Sequence, residues 1–513
     1  MRKLLAILTI LAMLLSLTGC LGRGGGENTV IDINGTHTIF YHPDELETHE
    51  VEFSDEYWSM PVAREDDGTF TKEGHVLLGY SFNEDGSGEL IRPGYRFELP
   101  NENTEQHLYC VWAKETAASD FETAPNGSSL KITTYKGSDK VVYIPRSIDG
   151  KTITAIADNA FANNSKIEEV HITSSIVDVA PKAFAACENL KTVTLYDSLH
   201  SITDAAFMGG TPIETVRLCA GKTPRYTNSF VTFGIKYERL LNTRGEKRLI
   251  FIAGSSVLYG VDTKYMESLF EDDITVVNFG TNGNQNTAYY LDAIAPYLTE
   301  NDTVIFTPEQ YGDQAYHVNG NPEMPSATIQ GTSTCYNLFE NINVANYTNI
   351  FTAIGEYCDQ SIRMAELSWY DHSPRLDTLG DNASLTDKMN SPDFVTGLNG
   401  IFRFNETVIP QEFIPNLNRI IDKTKDTGAT VLFGYPPHNV NNIEAASQND
   451  DAYDSYNKWI SETIHCPLIS DVRDYIYNAE VFDNTDYHVN TTGRKMHTEN
   501  LVEDIKNANI GIK

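Results

Sequence analysis

The sequence is short of basic residues, of closely spaced cysteines and of long apolar runs. It carries 38 Lys and Arg against 71 Asp and Glu, a formal net charge of −33. Such a surface repels phosphate backbones and anionic lipid, so we expect no nucleic-acid partner and no direct adsorption to lipid. The seven cysteines form no C-x-x-C pair, which argues against a zinc knuckle and a disulfide framework. Because the histidines show no ligand spacing either, we expect no metal and no cofactor.

The 513 residues are too many for one core, and a hydrophobic content of 41% favours a folded, multidomain chain. Composition and pattern change several times along it. We divide it into a signal segment (1–19), a tether (20–27), a β module (28–115), a repeat region (117–222), a connector (223–246) and a C-terminal α/β domain (247–513). A Cys335–Cys358 bridge stays open at this stage.

The N-terminus has the pattern of an export signal. Arg2 and Lys3 precede an apolar run that is too short to span a membrane comfortably. The run ends in Leu17-Thr18-Gly19-Cys20, which resembles a bacterial lipobox. The resemblance implies cleavage before Cys20, lipidation of its thiol and an extracytoplasmic lipoprotein held at the bacterial cell surface by its acyl chains. The alternative is an ordinary signal peptide with a chance cysteine.

Residues 28–115 alternate short apolar runs with turn signals such as Asp66-Asp67-Gly68, which predicts β structure. Residues 74–81 and the closing Leu108-Tyr109-Cys110-Val111-Trp112 resemble a Listeria–Bacteroides repeat. The resemblance implies a small β-grasp-like module without chemistry of its own. We expect Tyr80 and Trp112 to be core residues.

Residues 117–222 contain an internal repeat with a period of 23 residues. The recurring positions are Ala160-Phe161, Ala183-Phe184 and Ala206-Phe207, then Val170, Val193 and Val216, then Ile172, Leu195 and Leu218. A fixed period of this size is typical of a solenoid, in which each unit buries its apolar face against the next. Residues 183–193 resemble the BspA-type leucine-rich repeat. For function this implies a surface that binds a protein or glycan ligand, or a purely structural spacer.

From residue 249 the pattern changes to alternating strands and helices, which predicts a doubly wound, mostly parallel sheet with its site at the carboxyl ends of the strands. The predicted strands are 249–253, 275–279, 303–307, 430–435 and 467–469. The predicted helices are 287–298, 410–425 and 452–464. Residues 312–405 are longer than a loop of such a fold requires, so we expect a lid, a partner surface or structural packing.

Four polar blocks fall at the ends of these strands. They are Gly254-Ser255-Ser256 followed by Gly260, residues 278–283, residues 307–311 and residues 483–493. Their order resembles the SGNH/GDSL hydrolase superfamily, in particular its divergent membrane-associated branches. The resemblance implies a three-layer, flavodoxin-like α/β fold, a nucleophilic serine in the first block, oxyanion donors in the second and third, and an acid and a histidine in the last.

The residues themselves support this chemistry. A serine hydroxyl is a weak nucleophile that needs a base within hydrogen-bond reach, and His488 lies in a stretch that also supplies carboxylates. When Gly254 and Gly260 are aligned with the family's two glycines, the resemblance implies Ser256 as the nucleophile and Ser255 as the alternative. Asp483 and Asp486 are both candidates to orient the histidine.

The oxyanion site departs from the family pattern. We expect donors at the backbone N–H groups of Ser256 and Gly280, with Asn282 as an alternative amide donor. Glu309 stands where the family has an amide, and a carboxylate repels an oxyanion unless it is protonated. It is therefore a candidate to bind a substrate hydroxyl or ammonium instead.

The sequence thus predicts a surface lipoprotein whose C-terminal domain is a serine acyl esterase or acyltransferase. Its substrate would be an acylated glycan of the envelope or extracellular space, or another ester. The alternative is a non-enzymatic adhesion or glycan-binding protein with a degenerate SGNH-like domain.

Overall fold

A computed structural model describes residues 37–43, 49–53, 63–98, 105–221, 231–281, 287–309, 333–363, 376–377, 379–387, 391–398, 400 and 402–512. The predicted signal segment, the tether, Cys20 and Asn282 lie outside these residues. So does the side chain of Cys335, and a bridge to Cys358 therefore stays a prediction. No helix in the described part of the chain is long and apolar enough to cross a membrane.

The N-terminal β module is one four-stranded sheet with strand order β2-β1-β4-β3. Its strands are β1 (His37–His42), β2 (His49–Phe53), β3 (His75–Ser81) and β4 (Glu105–Lys114). Strands β1 and β4 are parallel, and the two outer pairs are antiparallel. Tyr80 is fully buried, as predicted. Trp112 is only partly buried and donates from Nε1 to the carbonyl oxygen of Pro43 at 3.1 Å.

The repeat region is built from two sheets, with strand orders β13-β12-β10-β7 and β11-β9-β6-β5. Strand β8 pairs with β9. The strands are β5 (Phe121–Asn126), β6 (Ser129–Tyr135), β7 (Val141–Tyr143), β8 (Ser147–Ile148), β9 (Lys151–Ile156), β10 (Glu169–His171), β11 (Asp178–Val179), β12 (Thr192–Tyr196) and β13 (Thr215–Cys219). Short 3-10 helices occupy Ala118–Asp120 and Asp204–Phe207.

The register of this region confirms the predicted 23-residue period. Val170 pairs with Val193, and Val193 pairs with Val216, all in parallel strands. On the opposite side the aromatic rings stack in the same order, Phe161 on Phe184 with centroids 4.7 Å apart and Phe184 on Phe207 at 5.4 Å. We call this row of stacked rings the phenylalanine ladder. Each unit therefore buries its apolar positions against its neighbours.

The C-terminal domain has a four-stranded, all-parallel sheet with order β15-β14-β16-β17. Its strands are β14 (Arg248–Ala253), β15 (Thr275–Gly280), β16 (Asp302–Phe306) and β17 (Thr430–Phe433), with a separate pair β18 (His438–Asn439) and β19 (Ile476–Tyr477). The helices are α1 (Val231–Asn242), α2 (Ser255–Gly260), α3 (Thr263–Ser268), α4 (Thr287–Ile294), α5 (Ile350–Arg363), α6 (Pro392–Thr396), α7 (Ile414–Lys425), α8 (Asp450–Thr463) and α9 (Thr491–Asn507). The 3-10 helices are Ala295–Tyr297, Ser333–Asn341, Val344–Asn346, Val440–Asn442, Ala445–Ser447, Val472–Tyr475 and Ala479–Val481.

Four of the five predicted strands and all three predicted helices of this domain are present, with ends shifted by four residues or fewer. The fifth, predicted at 467–469, is reduced to a single bridge between Phe433 and Leu468. The predicted connector contains α1. This helix packs on the sheet, and its Arg239 donates to the carbonyl oxygen of Val276 at 3.0 Å.

Residues 333–363 cap the end of the repeat region. Phe351 of α5 continues the phenylalanine ladder, with its ring centroid 4.1 Å from that of Phe207. Glu340 receives hydrogen bonds from Arg217 at 2.7 Å and Arg92 at 3.0 Å, and Tyr336 donates to Asp197 at 3.0 Å. Of the three roles expected for residues 312–405, this part serves structural packing.

The β module covers the outer face of the repeat strands. Tyr196 of β12 donates to the carbonyl oxygen of Leu77 at 3.4 Å, and Asp66 forms an ion pair with Arg146. His171 and Thr194, which point away from the solenoid core, are consequently 2% and 0% exposed. A ligand of the repeats therefore has to bind elsewhere than on this central stretch of the strand face.

Candidate functional site

The parallel sheet brings the first three polar blocks together. Strand β14 lies between β15 and β16, so Ala253 is opposite Gly280 and Ile252 is opposite Phe306. The chain leaves β14 through Gly254 and enters α2 at Ser255. Because the carboxyl ends of parallel strands share one edge of the sheet, residues 254–256, 280–281 and 307–309 are neighbours.

The two candidate nucleophiles differ in exposure. Ser256 is fully buried, and its hydroxyl lies close enough to the carboxyl group of Glu309 to lower the pKa of that group. Ser255 is partly buried. Tyr259 follows Ser255 by four residues and Ser256 by three, so it lies one turn further along the same side of α2.

Glu309 occupies the start of α2. Its buried carboxyl group accepts hydrogen bonds from the backbone N–H of Gly254 at 2.8 Å and of Ser256 at 2.6 Å. Burial raises the pKa of Glu309, while these hydrogen bonds act in the opposite direction. The N–H of Ser256, predicted as an oxyanion donor, is thus bound to an internal carboxyl group.

Gly280, the other predicted backbone donor, is also engaged. Its N–H donates to Oδ1 of Asn278 at 3.0 Å. A Cβ at this position would collide with the backbone of Leu258, so glycine is required for close packing of α2 on β15. The second predicted donor group is therefore used inside the fold.

Asn278 is held by a buried polar network. Lys236 of α1 donates to its Oδ1 at 3.2 Å and to its carbonyl oxygen at 2.7 Å. The amide nitrogen of Asn278 donates to Asp381 at 2.9 Å, and Asp381 also accepts from the hydroxyl of Thr263 at 2.7 Å. Burial lowers the pKa of Lys236 to about 7, and the nearby Asp381 opposes that shift. The network fixes the carboxyl end of β15.

His488 lies in a tight turn after β19. The hydroxyl of Thr485 accepts the backbone N–H groups of Tyr487 at 3.2 Å and of His488 at 3.0 Å. The imidazole is parallel to the ring of Tyr259, with centroids 3.9 Å apart and 5° between the planes. Burial lowers the pKa of His488 to about 4. The turn therefore presents a neutral imidazole beside α2.

The hydrogen-bond partner of His488 is Asn484, a residue that the sequence analysis did not consider. Nδ1 of His488 lies 2.7 Å from Oδ1 of Asn484. The predicted acids are placed otherwise, because Asp486 accepts from the amide of Asn442 at 2.6 Å and Asp483 is buried with its backbone N–H bonded to the carbonyl oxygen of His488. The turn at Thr485 selects the residue four positions before the histidine.

Residues 379–387 border the site from the other side. Arg494 of α9 joins the two parts, donating to the carbonyl oxygen of Tyr259 at 3.0 Å and to that of Asn382 at 2.8 Å. Burial raises the pKa of Tyr259, while hydrogen bonding from the side chains of Asn484 and Asn382 lowers it. No sequence signal pointed to Asn382, because its role depends on contacts between distant segments.

Metal-ligating side chains do not cluster. Within the described ranges, no group of three or more His, Cys, Asp or Glu side chains is placed to hold a metal ion. The thiols of Cys187, Cys219 and Cys466 are buried.

Comparison with known proteins identifies the repeat region. The family described as "BspA type Leucine rich repeat region" matches residues 128–236 in six copies. No curated protein matches the chain.

Two solved structures are similar to parts of the chain. One is a leucine-rich repeat protein of T. pallidum, at 18% identity and a TM-score of 0.19, covering 37% of this chain and 71% of that one. Another is a leucine rich cell surface protein from Faecalibacterium prausnitzii A2-165, at 16% identity and a TM-score of 0.13, covering 20% of this chain and 38% of that one. The family match and the register described above agree over strands β6 to β13, which therefore form a BspA-type leucine-rich repeat region.

Proposed function

We propose that the C-terminal domain is a serine acyl hydrolase or acyltransferase of SGNH type, with an O-acylated glycan or another ester as substrate. One observation carries the proposal: a neutral histidine stacks on Tyr259, one helical turn from a serine hydroxyl that is buried beside the carboxyl group of Glu309. Buried polar groups of this kind call for a physical reason. A nucleophile that waits for substrate supplies one.

In the proposed reaction, Oγ of Ser256 attacks the acyl carbon while Nε2 of His488 takes the hydroxyl proton. The alcohol then leaves with that proton, and water or an acceptor hydroxyl releases the acyl group from the serine by the reverse transfer. Ser255 is the alternative nucleophile. The N–H of Ser256 can serve the oxyanion only after the carboxyl group of Glu309 has moved away.

We further propose that the protein is a lipoprotein anchored through Cys20 at the bacterial cell surface. The lipobox-like sequence supports this, and the charge of −33 accords with attachment through acyl chains instead of adsorption to anionic lipid. The β module and the repeats would then hold the α/β domain away from the membrane. Where the strand face is covered, the repeats serve as a spacer.

A second candidate function is favoured by Glu309. Its carboxyl group sits on two N–H groups at the strand–helix turn, and the N–H of Gly280 is bonded to Asn278. A site whose oxyanion donors are permanently used would be inactive. The protein would then be a non-enzymatic adhesion or glycan-binding protein, and the α/β domain would serve as a scaffold.

Labelling with a fluorophosphonate probe tests the choice. We expect the wild type to be labelled, and Ser256→Ala and His488→Ala to lose the label. Ser268→Ala is the matched control, because this serine is exposed on α3 and donates to the carbonyl oxygen of Tyr265. Loss in Ser255→Ala alone would transfer the nucleophile to Ser255. A folded wild type that stays unlabelled would favour the second candidate.

A further inference from the structure

We infer that Asn484 is the positioning residue of His488, with an amide in the place that a carboxylate occupies in a Ser-His-Asp triad, and that Tyr259 locks both side chains. The inference rests on the proposed function for its catalytic meaning. The placement of the side chains depends on the hydrogen bond between His488 and Asn484 and on the ring stack between His488 and Tyr259.

The hydrogen bond fixes the tautomer of the imidazole. Oδ1 of Asn484 is a carbonyl oxygen and can only accept, so the nitrogen 2.7 Å away, Nδ1 of His488, must carry the proton. Nε2 is then unprotonated, with its lone pair in the ring plane on the far side from Asn484. This is the form that accepts a proton from a serine hydroxyl.

Tyr259 restrains both members of the pair. Its ring covers the imidazole face at 3.9 Å, which prevents the ring of His488 from tilting. The side-chain amides of Asn484 and Asn382 both lie near its hydroxyl and lower the pKa of Tyr259, so Tyr259 is next to both members of the pair. Arg494 anchors the backbone of Tyr259 and of Asn382. Four parts of the chain therefore hold one imidazole.

The exchange of a carboxylate for an amide changes the chemistry of the base. An ionised aspartate beside Nδ1 would stabilise the imidazolium, whereas a neutral amide orients the ring without adding charge. The charged groups around the pair are Asp483 on the same turn and Arg494 from α9, both of which act on Tyr259, while burial is what acts on His488. The histidine consequently stays neutral well below pH 6.5, and a site of this kind keeps its base form in acid.

Nuclear magnetic resonance of ¹⁵N-histidine-labelled protein tests the inference without relying on activity. The His488 signal is assigned by its loss in His488→Gln. In the wild type we expect the Nδ1–H tautomer and a titration midpoint near pH 4. Asn484→Asp should raise the midpoint by at least about one pH unit, since an adjacent opposite charge favours the imidazolium. Asn484→Ala should lose the single tautomer.

Asp486→Asn and Asp483→Asn are the matched controls, and both should leave the tautomer of His488 as it is. Loss of the Nδ1–H tautomer in either control, or its retention in Asn484→Ala, would overturn the inference. If the wild type is not labelled by the fluorophosphonate probe but His488 shows the expected tautomer and titration midpoints, the proposed function is refuted and the positioning role of Asn484 stands. If the label is formed, the pH below which the labelling rate falls should be higher in Asn484→Asp than in the wild type.

Discussion

The repeat region and the α/β domain differ in the kind of side chains that they bury. In the repeats, equivalent residues stack on one another, and the unsatisfied buried side-chain atom found there among the described residues is the hydroxyl of Thr194. In the α/β domain, the hydroxyls of Ser256, Thr281 and Thr307 are all buried where three adjacent strands end, and among the described residues that of Thr307 has no partner. Regular packing places few polar groups in a core, whereas a site concentrates them.

The largest effect is expected from breaking the phenylalanine ladder. Phe184→Ala removes the ring that stacks on both Phe161 and Phe207, and truncation of a buried phenylalanine costs about 3 to 5 kcal/mol. Denaturant unfolding measures the loss. Met208→Ala is the control, because this side chain is 46% exposed. Equal losses in the two variants would contradict a ladder-based stability of the repeats.

The buried polar contacts of the α/β domain are tested at Glu309. Glu309→Ala leaves the buried N–H groups of Gly254 and Ser256 without acceptors, and each unsatisfied group costs about 1 to 3 kcal/mol. Two such groups cost about 2 to 6 kcal/mol, and removal of a buried carboxyl group, which is costly to desolvate, offsets part of this, so we expect a smaller net loss of unfolding free energy than for Phe184→Ala. Glu188→Ala, at an exposed site in the repeats, should change it by less than about 0.5 kcal/mol. An unchanged stability in Glu309→Ala would mean that the carboxyl group is not needed for folding.

Acid should destabilise the α/β domain more than the repeats. Burial lowers the pKa of His488 and His497 to about 4 and of His438 to about 3, whereas the repeats contain one such residue, His171, also at about 3. The unfolded chain binds protons below pH 6.5 and these folded side chains do not. The free energy of unfolding that each neutral histidine contributes is therefore fully present above pH 6.5. It is lost as the pH falls from 6.5 to about 4, with a slope of about 1.4 kcal/mol per pH unit for each histidine.

Amide hydrogen exchange of peptides from each region, measured between pH 7 and pH 4 and corrected for the intrinsic exchange rate, measures this difference. His171→Gln should reduce the acid sensitivity of the repeats alone. Corrected exchange rates that do not change with pH would show that these imidazoles are protonated in the folded protein.

The smallest effect is expected at the contact between the two regions. Glu340→Gln weakens the hydrogen bonds from Arg217 and Arg92, but its side chain is 30% exposed, and solvent screens the pair. We expect a loss of no more than about 1 kcal/mol in denaturant unfolding. A loss as large as that of Phe184→Ala would mean that the charged contact, and not the stacked rings, holds the cap to the repeats.

Periodicity predicted a solenoid with a 23-residue register, because each unit contacts its neighbour at a fixed separation in sequence. The alternation of strands and helices likewise located the sheet that carries Ser256. The roles of Asn484 and Glu309 could not be predicted in the same way. The role of Asn484 depends on a tight turn at Thr485, which places Asn484 instead of the neighbouring Asp483 beside His488. The role of Glu309 depends on a contact between two strand ends, with Ser256 and Glu309 53 residues apart in sequence.

The contacts of the cap formed by residues 333–363 could not be predicted, for a related reason. Structural packing was one of three roles expected for this segment, beside a lid and a partner surface, but its partner, Phe207, lies 144 residues before Phe351 in the chain. Contacts of this range leave no local pattern that a single sequence reveals.

Phe351 also determines how such a protein can change in length. An open solenoid can grow by adding units at its end, but here the last rung is already occupied by a helix of another domain. Duplication must therefore occur between existing units. Each inserted 23-residue copy would move the α/β domain about 4.8 Å further along the solenoid axis. The β module also contacts this end of the solenoid, because Arg92 donates to Glu340 and Arg96 forms an ion pair with Glu238, so inserted copies would extend the repeats without separating the β module from the α/β domain.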